Sequence, residues 1–232
     1  ELIEQSCQLG YSALAITDEC SVAGVVRAYS HIKKEDLNIK LIVGSQFEYQ
    51  NNIQLTLLCP NRKAYAELCR IITNARRRCD KGEYELNLWD LKSIRECIIL
   101  WHASGDLNKD ETNLTWLKGL NKFIPQNLYL GITRKLTNRE HCYVENSEAI
   151  ATRHQLPIVA CGQVLMHCIT RLPLQHVLTA IKQGTQVNNI GRKALTNAEQ
   201  SLRPIPKLQT LYKQEYLDMS VDLAKRCTFD LG

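Results

Sequence analysis

Residues Ala13–Phe47 read ALAITDECSVAGVVRAYSHIKKEDLNIKLIVGSQF, and this stretch decides the fold class. Ala13–Thr17 is a short apolar run that stops at Asp18. Ala23–Lys33 follows with helical character, and Lys40–Phe47 returns to an almost unbroken apolar run. Strand, helix, strand within about 35 residues is the unit of an α/β fold. Runs this apolar suit strands covered on both faces, as in a parallel sheet or barrel. Such architectures place their chemistry just beyond the C-terminal ends of the strands.

The same alternation continues outward. Gln54–Cys59 is predicted as a strand joined to its predecessor by a turn through Asn51-Asn52, and Arg62–Arg77 as a helix with Tyr65, Leu68, Ile71 and Ile72 on one face. Strands are expected at Cys97–His102, Leu128–Ile132 and Pro157–Gly162, with helices at Thr112–Lys122 and Asn138–His154. After Pro173 the pattern changes to a helix over Leu174–Lys182, a polar stretch over Gly191–Arg203, and one or two helices in Lys207–Cys227. The division expected from this change is a barrel domain over residues 1–185 and a helical linker over 186–232.

Composition narrows the class without deciding it. Hydrophobic residues make up 44% and charged residues 23%, enough apolar material for a buried core. No stretch approaches the roughly 20 apolar residues of a membrane span. The ten cysteines show no CxxC spacing, and several, such as Cys97 and Cys161, lie inside apolar runs. That pattern predicts reduced, buried thiols and a cytoplasmic protein rather than a zinc ribbon or a disulfide scaffold. The net charge of +5 permits contact with nucleic acid. Its sharpest local expression is Arg76-Arg77-Arg78, a candidate for DNA or phosphate contact or a solvated helix end.

Three strand ends carry a resemblance. They are Ile16-Thr17-Asp18-Glu19-Cys20, Val43-Gly44-Ser45-Gln46-Phe47 and Ala160-Cys161-Gly162-Gln163-Val164-Leu165-Met166-His167. Together they resemble the PHP (polymerase and histidinol phosphatase) family, whose fold is a distorted seven-stranded α/β barrel. Active members carry Thr-Asp-His, Gly-x-Glu and Asp-x-His at these places, preceded by His-x-His. With those ligands they bind two or three metal ions and hydrolyse phosphoesters. Hard divalent cations need carboxylate and imidazole ligands, and paired metals activate water. Here Asp18 matches, Glu19 stands for His, Gln46 for Glu, Gln163 for Asp and Leu165 for His. Gln54 and His167 are weaker matches to ligand positions. The resemblance places the first strand, with its His-x-His, upstream of Glu1. It implies a vestigial metal site with no cofactor in this segment, and neighbouring strands whose unpaired edges make the chain marginally stable.

The phrases Thr17–Arg27, Leu41–Ser45, Ala75–Arg78, Lys81–Tyr84 and Leu178–Ile181 resemble one subgroup, the error-prone C-family DNA polymerases. Asn197–Glu199, Leu202-Arg203 and Cys227–Leu231 resemble the connection from PHP domain to polymerase core. The resemblance implies a non-catalytic, structural PHP module. Its partners would be the polymerase core of the same chain, DNA, the sliding clamp and other translesion-synthesis proteins. The parent polymerase would use Mg²⁺ with catalytic aspartates beyond Gly232. The alternatives are an active metal-dependent phosphoesterase and a free-standing degenerate PHP protein that acts by binding partners.

Overall fold

Alternate residues of each central strand enter two different cores, which explains the unbroken apolar runs. In the strand Ile98–His102, Ile99 and Trp101 pack with helices on one face while Ile98 and Leu100 pack on the other. The computed structural model describes residues 1–50 and 53–232.

The helix α1 (Leu2–Gln8) leads into β1 (Ala13–Ile16), α2 (Ala23–Lys34), β2 (Lys40–Tyr49), β3 (Ile53–Leu58) and α3 (Arg62–Arg77). Next come α4 (Leu88–Lys92), β4 (Ile98–His102), α5 (Leu107–Gly119), α6 (Ile124–Asn127), β5 (Leu128–Thr133), α7 (Glu140–His154) and β6 (Ile158–Cys161). Then α8 (Leu172–Lys182), α9 (Ile205–Leu211) and α10 (Gln214–Arg226) complete the described chain. Six strands form one sheet in sequence order, curled into a half-barrel of the expected mixed α/β class.

The sheet is not wholly parallel. β3 runs antiparallel to both β2 and β4, whereas β1–β2, β4–β5 and β5–β6 are parallel. The physical reason is the short link between Tyr49 and Ile53, since a parallel crossover needs a dozen or more residues. The turn expected at Asn51-Asn52 lies outside the described residues.

Other differences concern local capping. α5 begins five residues before the expected Thr112, because the Asp106 carboxylate accepts from the backbone N–H of Asn108 and Lys109. The short α4 is set by a capping box in which Asn87 and Asp90 each accept from the other's backbone N–H. Pro173 lies inside the first turn of α8 rather than before it, where its missing N–H costs nothing.

The larger core gathers Ala64, Leu68 and Ile71 of α3, Leu114 and Leu117 of α5 and Ile150 of α7 against one face of the sheet. On the other face Leu223 and Cys227, from α10 and its C-cap, join Ile42, Leu58, Ile98, Leu100, Tyr129 and Val159. The last helix of the 186–232 segment is therefore packed on the sheet, and Lys40 Nζ donates to its Ala224 carbonyl. Among the described residues no helix is long and apolar enough to cross a membrane.

Candidate functional site

Strand β1 delivers Asp18 and Glu19 to the rim of the sheet, beside the point where β2 delivers Ser45 and Gln46. The two segments are tied by the backbone: Cys20 N donates to Gln46 O at 2.9 Å and Gln46 N donates to Asp18 O at 3.2 Å. Ser45 Oγ, fully buried, donates to Asp18 O at 2.7 Å and accepts from Ser21 N at 3.0 Å.

Both carboxylates at this rim are engaged by the chain itself. Asp18 Oδ2 accepts from Gly24 N at 2.8 Å, in the first turn of α2, where negative charge meets the positive end of the helix. A Cβ on residue 24 would sit 2.5 Å from that oxygen, so glycine is what permits the contact. Glu19 Oε2 pairs with Lys182 Nζ at 3.0 Å, and Glu19 Oε1 accepts from the Tyr84 hydroxyl at 3.3 Å. Burial pushes the Tyr84 hydroxyl up to about 12, so it remains a donor.

The amides do not complete a ligand sphere. Gln46 is exposed and pairs with Thr56 in the β2–β3 register. Gln163 adopts φ +43°, and its carbonyl accepts from Gln200 Nε2 at 3.0 Å. Leu165 is 46% exposed, has no donor atom, and is held by Leu165 N to Gln200 O at 2.8 Å. No hydrogen bond or ion pair among the described residues joins Gln163 or Leu165 to Asp18, Glu19 or Gln46. His167 faces Glu1 at 3.5 Å instead. Gln54 lies in β3, in register with His102. Among the described residues no three His, Cys, Asp or Glu side chains are grouped to hold a metal ion.

A hollow of about 390 Å³ opens beside Glu19, with Glu48, Tyr84 and Glu85 also in its lining. Three of its lining residues are acidic. The nearest guanidinium, Arg76, is aimed at backbone oxygens: Nε at Cys20 O, Nη2 at Glu19 O, and Nη1 at Gly82 O and Glu83 O, all within 3.1 Å. Arg78 is likewise committed, to both oxygens of the buried Asp90 carboxylate and to Glu85 O. Of the three consecutive arginines, Arg77 alone is without such a partner among the described residues, and it is exposed.

At the opposite end of the rim lies a cluster that the sequence does not announce. His102 closes β4, and its Nε2 lies 3.0 Å from Thr56 Oγ1. Burial pulls the His102 imidazole down to about 4, so it is neutral at physiological pH. Among the described residues its Nδ1 is buried without a hydrogen-bond partner, as is Thr133 Oγ1 at the end of β5. Burial also pushes the Cys161 thiol up to about 12. The Tyr143 and Tyr212 hydroxyls, both raised to about 12 by burial, accept from Thr133 N and Arg134 N, and Tyr212 donates to Cys161 O. A Cβ at Gly131 would come within 3.0 Å of both His102 and Cys161. The only sequence signal for this cluster is a histidine ending an apolar run, which an ordinary core histidine also gives.

This geometry is joined by a match of the PHP domain profile to residues 1–134. The chain belongs to the PHP domain family. All of it aligns with error-prone DNA polymerases: 51% identity to that of Vibrio vulnificus, 49% to that of Vibrio campbellii and 40% to that of Teredinibacter turnerae. The chain spans 22% of the length of each of these relatives. A solved structure from Bifidobacterium adolescentis covers 69% of this chain and 80% of its own at 12% identity and TM-score 0.45, too weak a likeness to bear on function.

Proposed function

We propose that this PHP domain is a non-catalytic structural module of a longer error-prone DNA polymerase. DNA synthesis, its Mg²⁺ ions and its catalytic carboxylates then belong to the remaining length of the relatives' chains. Residues 1–185 form the barrel part in this reading, and 186–232 lead toward the polymerase core while α10 stays packed on the sheet.

The observation that carries the reading is the fate of the PHP ligand positions. Asp18 and Glu19 are bound to Gly24 N, Lys182 and Tyr84. Gln46 and Gln163 offer neutral amides, and Leu165 offers nothing. A cluster of hard divalent ions needs several anionic or imidazole donors converging on one point. The residues present do not fit such a cluster. DNA, the sliding clamp and other translesion-synthesis proteins are partners of the longer polymerase in this proposal. Titration calorimetry with Mn²⁺ or Zn²⁺ tests it: no stoichiometric binding is expected, and tight uptake of two or more ions overturns it.

A further inference from the structure

The outer face of α3 presents a straight line of cations. Lys63, Arg70 and Arg77 stand seven residues apart and are all exposed. Seven residues are two helical turns with a drift of only about 20°, so the three share one stripe at a spacing of about 10 Å. Arg62 adds a fourth exposed cation at its start.

The surrounding chemistry leaves this charge uncompensated. The single acid of α3, Glu67, is turned inward, where its carboxylate accepts from the backbone N–H of Arg95, Glu96 and Cys97. The other polar side chains that bond at the helix and its ends are Asn61, Arg76 and Arg78, all engaged inside the chain. Lys63, Arg70 and Arg77 have no hydrogen-bond or ion-pair partner among the described residues. The positions between them on the stripe are Ala66, the inward-turned Glu67, Thr73 and Asn74, so no exposed acid, aromatic ring or large apolar group stands among them.

We infer that this stripe contacts the phosphate backbone of duplex DNA without sequence preference. The inference rests on the polymerase-module reading above. Regularly spaced cations on a rigid rod suit a polyanion with regularly spaced charges. The stripe itself carries no aromatic ring, and the exposed Trp89 on the neighbouring α4 is faced by Lys92, which argues against single-stranded DNA, whose binding sites stack bases on rings. The missing apolar groups argue against a membrane surface or a hydrophobic protein groove. The triple arginine thereby divides: Arg76 and Arg78 hold the chain together, and Arg77 faces outward with Lys63 and Arg70.

The test is fluorescence anisotropy of labelled duplex oligonucleotides of two unrelated sequences, titrated with the chain at several salt concentrations. Wild type is expected to bind both equally, with a slope of log affinity against log salt of about −3 for three phosphate contacts. The combined variant Lys63→Glu, Arg70→Glu, Arg77→Glu is expected to lose about tenfold or more in affinity, and its slope to fall toward zero. Unchanged affinity and slope in a variant with a wild-type thermal melt overturns the inference. So does a preference for single-stranded oligonucleotide or heparin over duplex, or no binding by wild type at the lowest salt. Failure here leaves the metal titration untouched, so the two readings fall separately.

Discussion

The two ends of the sheet's rim treat ionisable groups in opposite ways. At the β1–β2 end, Asp18 and Glu19 are exposed, and each is bound to a neighbour. At the β4–β6 end, His102, Cys161, Tyr143 and Tyr212 are kept uncharged by burial. One end spends its carboxylates on loop and helix positioning, and the other buries these four neutral groups beside the Arg134–Glu140 ion pair. Among the described residues, neither end groups three His, Cys, Asp or Glu side chains to hold a metal ion.

Filling the closest contact at the buried end should give the largest effect. Gly131→Val places side-chain atoms where a Cβ alone already meets His102 and Cys161 within 3.0 Å. A loss of about 3 kcal/mol in urea unfolding is expected, in the range of core overpacking. A loss below about 1 kcal/mol would show that the buried end is loosely packed.

Acid should discriminate between the ends next. His102 has its folded pKa lowered to about 4 from 6.5. The unfolded chain therefore binds this proton more readily than the folded one. Stability from this group is intact above pH 6.5 and declines as pH falls toward 4, by about 3 kcal/mol in total. His102→Asn removes that contribution to the pH dependence, leaving the carboxylates. Denaturant melts of both proteins at pH 7 and pH 4.5 read the difference, and parallel losses would refute the neutral buried imidazole.

Smaller effects belong to the exposed end. Asp18→Ala takes a charge-assisted acceptor from the first turn of α2 and should cost about 1 kcal/mol by thermal melt. Lys182→Ala breaks a surface ion pair with Glu19 and should cost less than about 0.5 kcal/mol, a difference that shrinks further at high salt. An effect of several kcal/mol at Lys182 would mean that Glu19 is held in a far less solvated setting than its exposure indicates.

Much of this was legible from residue types. Strand–helix alternation located all six strands to within a few residues, because Ile42, Val43, Ile98, Ile99 and Trp101 serve two cores at once. Antiparallel β3 was hidden, since an apolar run has no direction. Its short link to β2 was the one available signal. The substitutions Gln46, Gln163 and Leu165 were readable only against the PHP pattern. The division of labour within Arg76-Arg77-Arg78 was not, because it depends on carbonyls and a carboxylate that folding brings to the helix end. The His102 cluster was equally silent, because Thr56, Gly131, Thr133 and Cys161 meet it only through strand pairing and packing.

We propose that the rim assembles no metal cluster. Calorimetric titration of the chain with Mn²⁺, with Asp18→Ala as the comparison, tests it most directly. No stoichiometric heat is expected in either protein. Binding of two or more ions at micromolar affinity or tighter, lost in Asp18→Ala, would contradict it.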